Sequence, residues 1–353
     1  MDCELLIAGQ GLAGTLVAWE AHWAGMRVTI IDPGETETAS RVAAGIINPI
    51  TGHRLAKSWR FDDLYPVARD FYRRAERELA RTFYHPLTIL RGLDDAERTR
   101  RWQRRVEQPD FQHLHTDDPH RGRPADPAWF HACANCFATD LCGFLEVEAF
   151  ILASRAFFSR HHRVVEEFLD LDAIEISGRP HAVGYHGISA ASAVFCLGAS
   201  GRDQRFFHAL PLRASKGEVL AIELSGCREN RIINRMGKWL LPTGQDRFLA
   251  GATYLWDPPD RLPSAEGQRE ITQSLGAILT RAPVLLGHRA GLRPIIRGSR
   301  PVLGRHPAFP GVCVFNGLGS KGVVNGPYFA NLLIRHLHAG SALESDTDVR
   351  SHL

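Results

Sequence analysis

The string Gly9-Gln10-Gly11-Leu12-Ala13-Gly14 constrains this chain more than any other feature. It spells G-x-G-x-x-G, and its surroundings give the spacing meaning. Residues 4–8 form a short apolar run that reads as a strand. Over 12–25, Leu12, Leu16, Trp19 and Trp23 recur at helical spacing, and Gly25 sits where a helix would stop. Residues 27–31 are a second apolar run without alternation, as in a parallel strand covered on both faces. That run ends at Asp32, 18 residues beyond Gly14. Strand, glycine turn, helix, strand and acid, in that order, predict a seat for a dinucleotide. Gly9 allows the tight turn, Gly11 the approach of a pyrophosphate to the backbone, and Gly14 the packing of helix on strand. Leu12 and Ala13 open the helix, whose free N–H groups and positive dipole end face the phosphates. Asp32 would accept hydrogen bonds from an adenosine ribose. An acid there disfavours the 2′-phosphate of NADP, but the turn alone does not separate NAD from FAD.

A chain of 353 residues exceeds what one core usually organises, so one large domain or two intertwined ones are expected. With 44% apolar residues it can bury a core, which excludes global disorder. A net charge of +3 does not point to nucleic acid as the main partner. No stretch reaches the roughly 18 apolar residues of a membrane span. The first residues lack a basic region and a cleavage site, so a cytoplasmic protein is expected. Seven scattered cysteines suit a reducing compartment. Helices are expected over 62–81, 146–161, 266–279 and 327–338, and a solvated polar excursion over 91–130. Short strands are expected over 193–197, 219–222, 239–241, 248–250 and 312–315.

Ser40-Arg41-Val42-Ala43-Ala44-Gly45-Ile46-Ile47-Asn48-Pro49 resembles the second segment of the D-amino-acid oxidase and glycine oxidase family of FAD enzymes. Gly143-Phe144-Leu145-Glu146-Val147, Ala193-Val194-Phe195-Cys196-Leu197-Gly198-Ala199 and Lys216-Gly217-Glu218-Val219-Leu220 are similar to later segments, as is Gly251-Ala252-Thr253. The most specific matches are Ala290-Gly291-Leu292-Arg293-Pro294, Pro301-Val302-Leu303-Gly304 and Asn316-Gly317-Leu318-Gly319-Ser320-Lys321-Gly322. They run in family order from residue 4 to about 338. The resemblance implies an α/β protein. A Rossmann-like FAD-binding domain would take residues 1–80, 140–210 and 290–353. A smaller, interwoven α+β substrate domain, built on an antiparallel sheet, would take 81–139 and 211–289. Beyond the first turn and Asp32, the implied FAD contacts are Ser40, Arg41, Ala44, Gly45, Gly198, Gly291 and Arg293. The late turn adds Gly317, Gly319, Ser320, Lys321 and Gly322. Sarcosine-oxidase-type members link their flavin through a cysteine that residues 292–301 lack, so the FAD should be noncovalent. With no second fingerprint for a nicotinamide, electrons should come from the substrate and leave to oxygen or another acceptor.

The implied reaction oxidises the C–N bond of an amino acid or related amine by hydride transfer to the flavin, and the imine then hydrolyses. Arg293 matches the arginine that holds the substrate carboxylate. Tyr254 follows Thr253 on an expected wall of the site, and Lys321 would add positive charge beside the flavin. Three functions stay open on the residues. One is a small-molecule amine or amino-acid oxidoreductase. The second is a tRNA-modifying FAD enzyme acting on carboxymethylaminomethyl-uridine, because Gly319-Ser320-Lys321-Gly322 is similar to Gly-Ser-Arg-Gly in the oxidase domain of bifunctional wobble-uridine enzymes. The third is a flavin-binding protein without turnover. Arg98, Arg100, Arg101, Arg104 and Arg105 around Trp102 read as a solvated helix face rather than an RNA contact. Cys133, Cys136 and Cys142 fall short of the four ligands of structural zinc, so no metal is expected.

Overall fold

The computed structural model describes residues 2–176, 182–201, 205–258, 260–296 and 298–353. Its first sheet grows from the N-terminal strand β1, Cys3–Ala8, which is almost wholly buried. The main row runs Arg163–Val165, β2 (Val28–Ile31), β1, Ile188–Phe195, Val312–Asn316 and Val302–Arg305, and an antiparallel pair, Val183–Tyr185 and Ile174–Ile176, also attaches to Ile188–Phe195. In the main row the first five strands are parallel and the last antiparallel. Helix α1, Leu12–Trp23, is buried on most of its surface, because it lies between this sheet and helix Gly322–Ala339. A Cβ at Gly326 would come within 2.3 Å of Leu16, so the glycine permits the close helix approach. Trp19 stacks on Phe157 at 4.7 Å and donates to Ser154 Oγ at 2.9 Å, joining α1 to helix Val147–His161.

A second sheet carries Val284–Ile296, Leu212–Glu223, Arg247–Gly251, Lys238–Gly244, Ile232–Arg235, Ile89–Leu93 and Asn135–Thr139, in that order. It is antiparallel, as expected, except between Ile232–Arg235 and Ile89–Leu93. Those strands come from distant parts of the chain, so no hairpin fixes their direction. Helix Ala265–Ile278 covers one face through Ile271, Leu275 and Ile278. The fold is mixed α/β. Strand Val284–Ile296 runs through the boundary expected at 289/290 and so reaches towards both sheets.

Three local expectations change. Strand Leu212–Glu223 is one continuous strand of twelve residues, where the β-like stretch from Leu212 was expected to form only a short run at 219–222. Its middle carries Lys216 and Glu218, whose charges are matched by buried partners rather than by water. The last helix starts at Gly322, not at Pro327. Proline leaves the carbonyl four residues earlier without its helical donor. That carbonyl belongs to Val323, and Tyr72 Oη donates to it at 2.8 Å. The polar excursion contains helix Ala96–Val106, held by Trp102, which stacks on Phe137 at 3.6 Å. Arg98 pairs with Asp94 and Asp95, and Arg101 with Glu97. No helix among the described residues is long and apolar enough to cross a membrane.

Candidate active site

The parallel strands end at a common place, as ligand-binding α/β sheets do. Gly9 follows β1, Asp32 follows β2, Cys196 follows Ile188–Phe195, and Asn316 closes Val312–Asn316. All four line one cavity of about 620 Å³. At its first end the chain turns at Gly9 with φ +92°, where a Cβ would lie 2.7 Å from the Cys196 carbonyl oxygen. Gly11, Leu12 and Ala13 face the cavity. Gly14 does not: a Cβ there would fall 1.8 Å from the Gly9 carbonyl, so this glycine serves the packing of α1 on its turn. The N–H groups of the first helical turn have no partner within the helix. One of them, Leu12 N–H, donates to Ser40 Oγ at 2.9 Å.

Asp32 is fixed from three sides. Its carboxylate accepts from Gln10 N–H at 2.6 Å, from Gly34 N–H at 2.8 Å and from Arg155 Nη1 at 3.1 Å. Arg155 also donates to the Gln10 side chain and the Asp32 carbonyl. A carboxylate held this way still has lone pairs for ribose hydroxyls. Sequence reasoning found Asp32 and missed Arg155, which arrives from another helix with no motif of its own. Next along the cavity come Ser40 from helix α2 (Ala39–Val42), then Ala44 and Gly45. A Cβ at Gly45 would lie 2.0 Å from the Leu145 carbonyl. Arg41 turns aside and lines a void of about 20 Å³ with Gln10, Glu35 and Arg155.

The far end lies between the two sheets. Gly217, Val219, Trp239, Ala252, Thr253 and Tyr254 form one wall, with Gly291 and Arg293 beside them. Gly198, Gly319, Ser320 and Gly322 form the other, at the mouth of helix Gly322–Ala339. Gly317, with φ +77°, lies outside the lining and packs against Ile296. Tyr254 is half exposed, and the Arg293 guanidinium stands 5.1 Å over its ring. Burial pulls the Arg293 pKa down, and its protein hydrogen bonds go to a neutral acceptor, the Thr253 carbonyl, at 3.3 and 3.4 Å.

Lys321 departs from the expectation. Its side chain does not line the cavity. The ammonium turns to the Asn48 carbonyl at 3.4 Å and Ser58 Oγ at 3.2 Å, two oxygens that draw it behind the wall. Burial and the charge of Arg91 lower its pKa to about 8.

A trough with glycine backbone, a helix N-terminus and a fixed acid at one end fits FAD in its chemistry: phosphates at α1, ribose at Asp32. Comparison with known proteins agrees. Residues 4–336 match the DAO family, described as FAD dependent oxidoreductase. The glycine oxidase of Pseudomonas aeruginosa is 24% identical over 94% of this chain and 94% of its own length. Among solved structures, glycine oxidase from Geobacillus kaustophilus superposes with a TM-score of 0.79 at 17% identity, covering 97% of this chain and 95% of its own. Iminodiacetate oxidase from Chelativorans sp. BNC1 gives 0.75 at 22% identity, covering 97% and 96%. With its turn, its acid and nearly its whole length accounted for, the chain belongs to the DAO family of FAD-dependent oxidoreductases.

Proposed function

We propose that this chain oxidises the C–N bond of a small amine bearing a carboxylate, an amino acid or an N-substituted amino acid. The observation that carries the reading is Arg293. Its guanidinium is largely withdrawn from water on the cavity wall, and no carboxylate among the described residues lies within ion-pair distance. A buried charge without a counter-ion is costly. A substrate carboxylate supplies that counter-ion in the planar, two-bond form a guanidinium favours. Two similar proteins bear the names of substrates of this kind, glycine and iminodiacetate.

When bound, FAD supplies the two-electron acceptor for the oxidation. The chain's own residues do the rest. Arg293 holds the carboxylate, and the Tyr254 ring covers the guanidinium. Trp239 and Ala252 narrow the wall beside them. No general base is assigned, because the neutral amine needs none. The arginine helix gives little support to a nucleic-acid substrate, since Arg98 and Arg101 already have acidic partners.

The test is anaerobic bleaching of the yellow protein by a panel of amines, with and without a carboxylate. Arg293→Ala should lower kcat/KM for the carboxylated amines by about 30- to 4,000-fold, the equivalent of roughly 2–5 kcal/mol for truncating one partner of a buried charge pair. Amines without a carboxylate should change little, and FAD content should stay normal. Equal losses on both kinds of amine would make Arg293 structural and remove the reading.

A further inference from the structure

Thr253 sits in a gap of a β-ladder. Strand Leu212–Glu223 pairs with Arg247–Gly251 from Val219 onward, and with Leu255–Trp256 at Ser215 and Lys216. Glu218 lies between these stretches, opposite Thr253. Thr253 N–H donates to the Glu218 carbonyl at 3.3 Å, as a ladder residue would. The return bond is different. Glu218 N–H donates to Thr253 Oγ1 at 2.9 Å, so the side chain takes the place of the backbone acceptor. The Thr253 carbonyl is thereby released, and it accepts from Nη1 and Nη2 of Arg293.

That choice has a chemical result. A guanidinium offers five N–H donors in fixed directions. With the edge between Nη1 and Nη2 given to Thr253, the remaining two-donor fork lies between Nε and a terminal nitrogen. The berth of the guanidinium is fixed as well. A Cβ at Gly217 would lie 1.8 Å from Nη2 and 2.2 Å from Cζ, so only glycine leaves the group its place. The strand behind is pinned on its other face. The Glu218 carboxylate accepts from Ser264 N–H at 2.9 Å and Ser264 Oγ at 2.8 Å. It also pairs with His288 Nε2 at 2.7 Å, and Lys216 lies 3.7 Å away, itself donating to Asp260 and the Leu262 carbonyl.

We propose that Thr253 is a positioning residue: its hydroxyl replaces a ladder acceptor so that its carbonyl can aim Arg293, presenting the Nε edge to the substrate carboxylate. The inference rests on the reading of Arg293 as the carboxylate's partner. Acetate, the smallest carboxylate carrying a methyl group, is the probe. Its dissociation constant is measured by titration calorimetry on FAD-loaded wild type, Arg293→Ala, Thr253→Val, Thr253→Ser and Gly217→Ala. Thr253→Val keeps the shape and removes the hydroxyl, so Glu218 N–H competes for the carbonyl. Acetate should bind about tenfold more weakly. Thr253→Ser should restore binding to within about twofold of wild type, because it keeps the acceptor. Gly217→Ala attacks the same geometry without touching the hydroxyl and should also weaken binding. It serves as the readout where Thr253→Val does not fold. Wild-type affinity in Thr253→Val or in Gly217→Ala, with binding abolished in Arg293→Ala, overturns the positioning role and leaves the reading of Arg293 standing. Failure of Thr253→Ser to rescue a weakened Thr253→Val overturns the role too. No binding by wild type, or unchanged binding in Arg293→Ala, overturns the Arg293 reading and this inference with it.

Discussion

Lys321 carries its charge into a place where no acid among the described residues receives it. Its partners are a carbonyl and a hydroxyl, and the nearest charge that matters is another cation, Arg91. In the unfolded chain the same ammonium would titrate near 10.5, against about 8 in the fold. Between those values the unfolded state holds the proton and the folded state does not, so stability rises as pH climbs through this window. Below it, the full cost of burying the charge stands, about 3 kcal/mol for a shift of this size. Lys321→Met should therefore raise the urea midpoint at pH 7. The gap from wild type should close towards pH 10. A gap that is absent or independent of pH would mean that the ammonium is compensated. At this scale the sequence was legible wherever one residue type has one use. Asp32's place on the cavity could be read from its spacing to the glycines, because the acid closes the second strand of the unit. Arg155, Gly217 and Thr253 could not be assigned roles, because each acts on a residue far away in sequence.

At the scale of the element, glycines divide into those that face the cavity and those that let backbones touch. Gly14 is of the second kind. Its hydrogen stands where a Cβ would lie 1.8 Å from the Gly9 carbonyl, a backbone atom that cannot swing aside. Gly14→Ala should push α1 off its turn, costing about 3 kcal/mol or more, at the upper end of overpacking. It should also strip the flavin. Gly25→Ala makes the control: it sits at φ +76° with open space around it, so only the roughly 1–2 kcal/mol of a left-handed alanine applies. Urea unfolding and the flavin absorbance of the purified variants measure both, and a flavin-loaded, stable Gly14→Ala would contradict this account. Elements with strong apolar periodicity were legible to within a few residues, helix Phe61–Leu79 among them. The start of the last helix was not, because the donor that tolerates Pro327 is Tyr72 from another helix. The stretch from Leu212 read as β-like, but only its apolar run 219–222 could be bounded, because the buried charges of Lys216 and Glu218 interrupt the pattern until their partners are known.

For the whole molecule, the cofactor seat joins segments that are otherwise apart, so binding should tie their stabilities together. FAD in hundredfold excess over its dissociation constant should stabilise the fold by about 2.7 kcal/mol if the unfolded chain does not bind it. Scanning fluorimetry should then show the apoprotein melting several degrees lower than the loaded protein. Gly11→Val should melt at the apoprotein temperature whatever FAD is added, because its side chain would stand in the pyrophosphate's path. A rise in that variant equal to wild type would remove the turn from the binding site. Acid precipitation should leave the flavin in the supernatant, and a yellow washed pellet would refute noncovalent attachment. The alternation of cofactor and substrate segments remains a proposal from family order alone, because the pairing of distant strands leaves no local trace in composition or periodicity.

The strand Ile188–Phe195 has Ile7 against Val194 on one edge and Cys313 against the same residue on the other. A ribosome delivers its first neighbour well before it, and its second more than a hundred residues after it. Until residues 312–339 emerge, α1 lacks the helix that covers it and the parallel sheet keeps an open edge. The nascent protein must therefore wait, with apolar surface showing, until those residues emerge before a flavin can be captured. Anything that holds nascent chains, or any pause that stretches this wait, acts on the yield of loaded enzyme without touching one residue of the cavity.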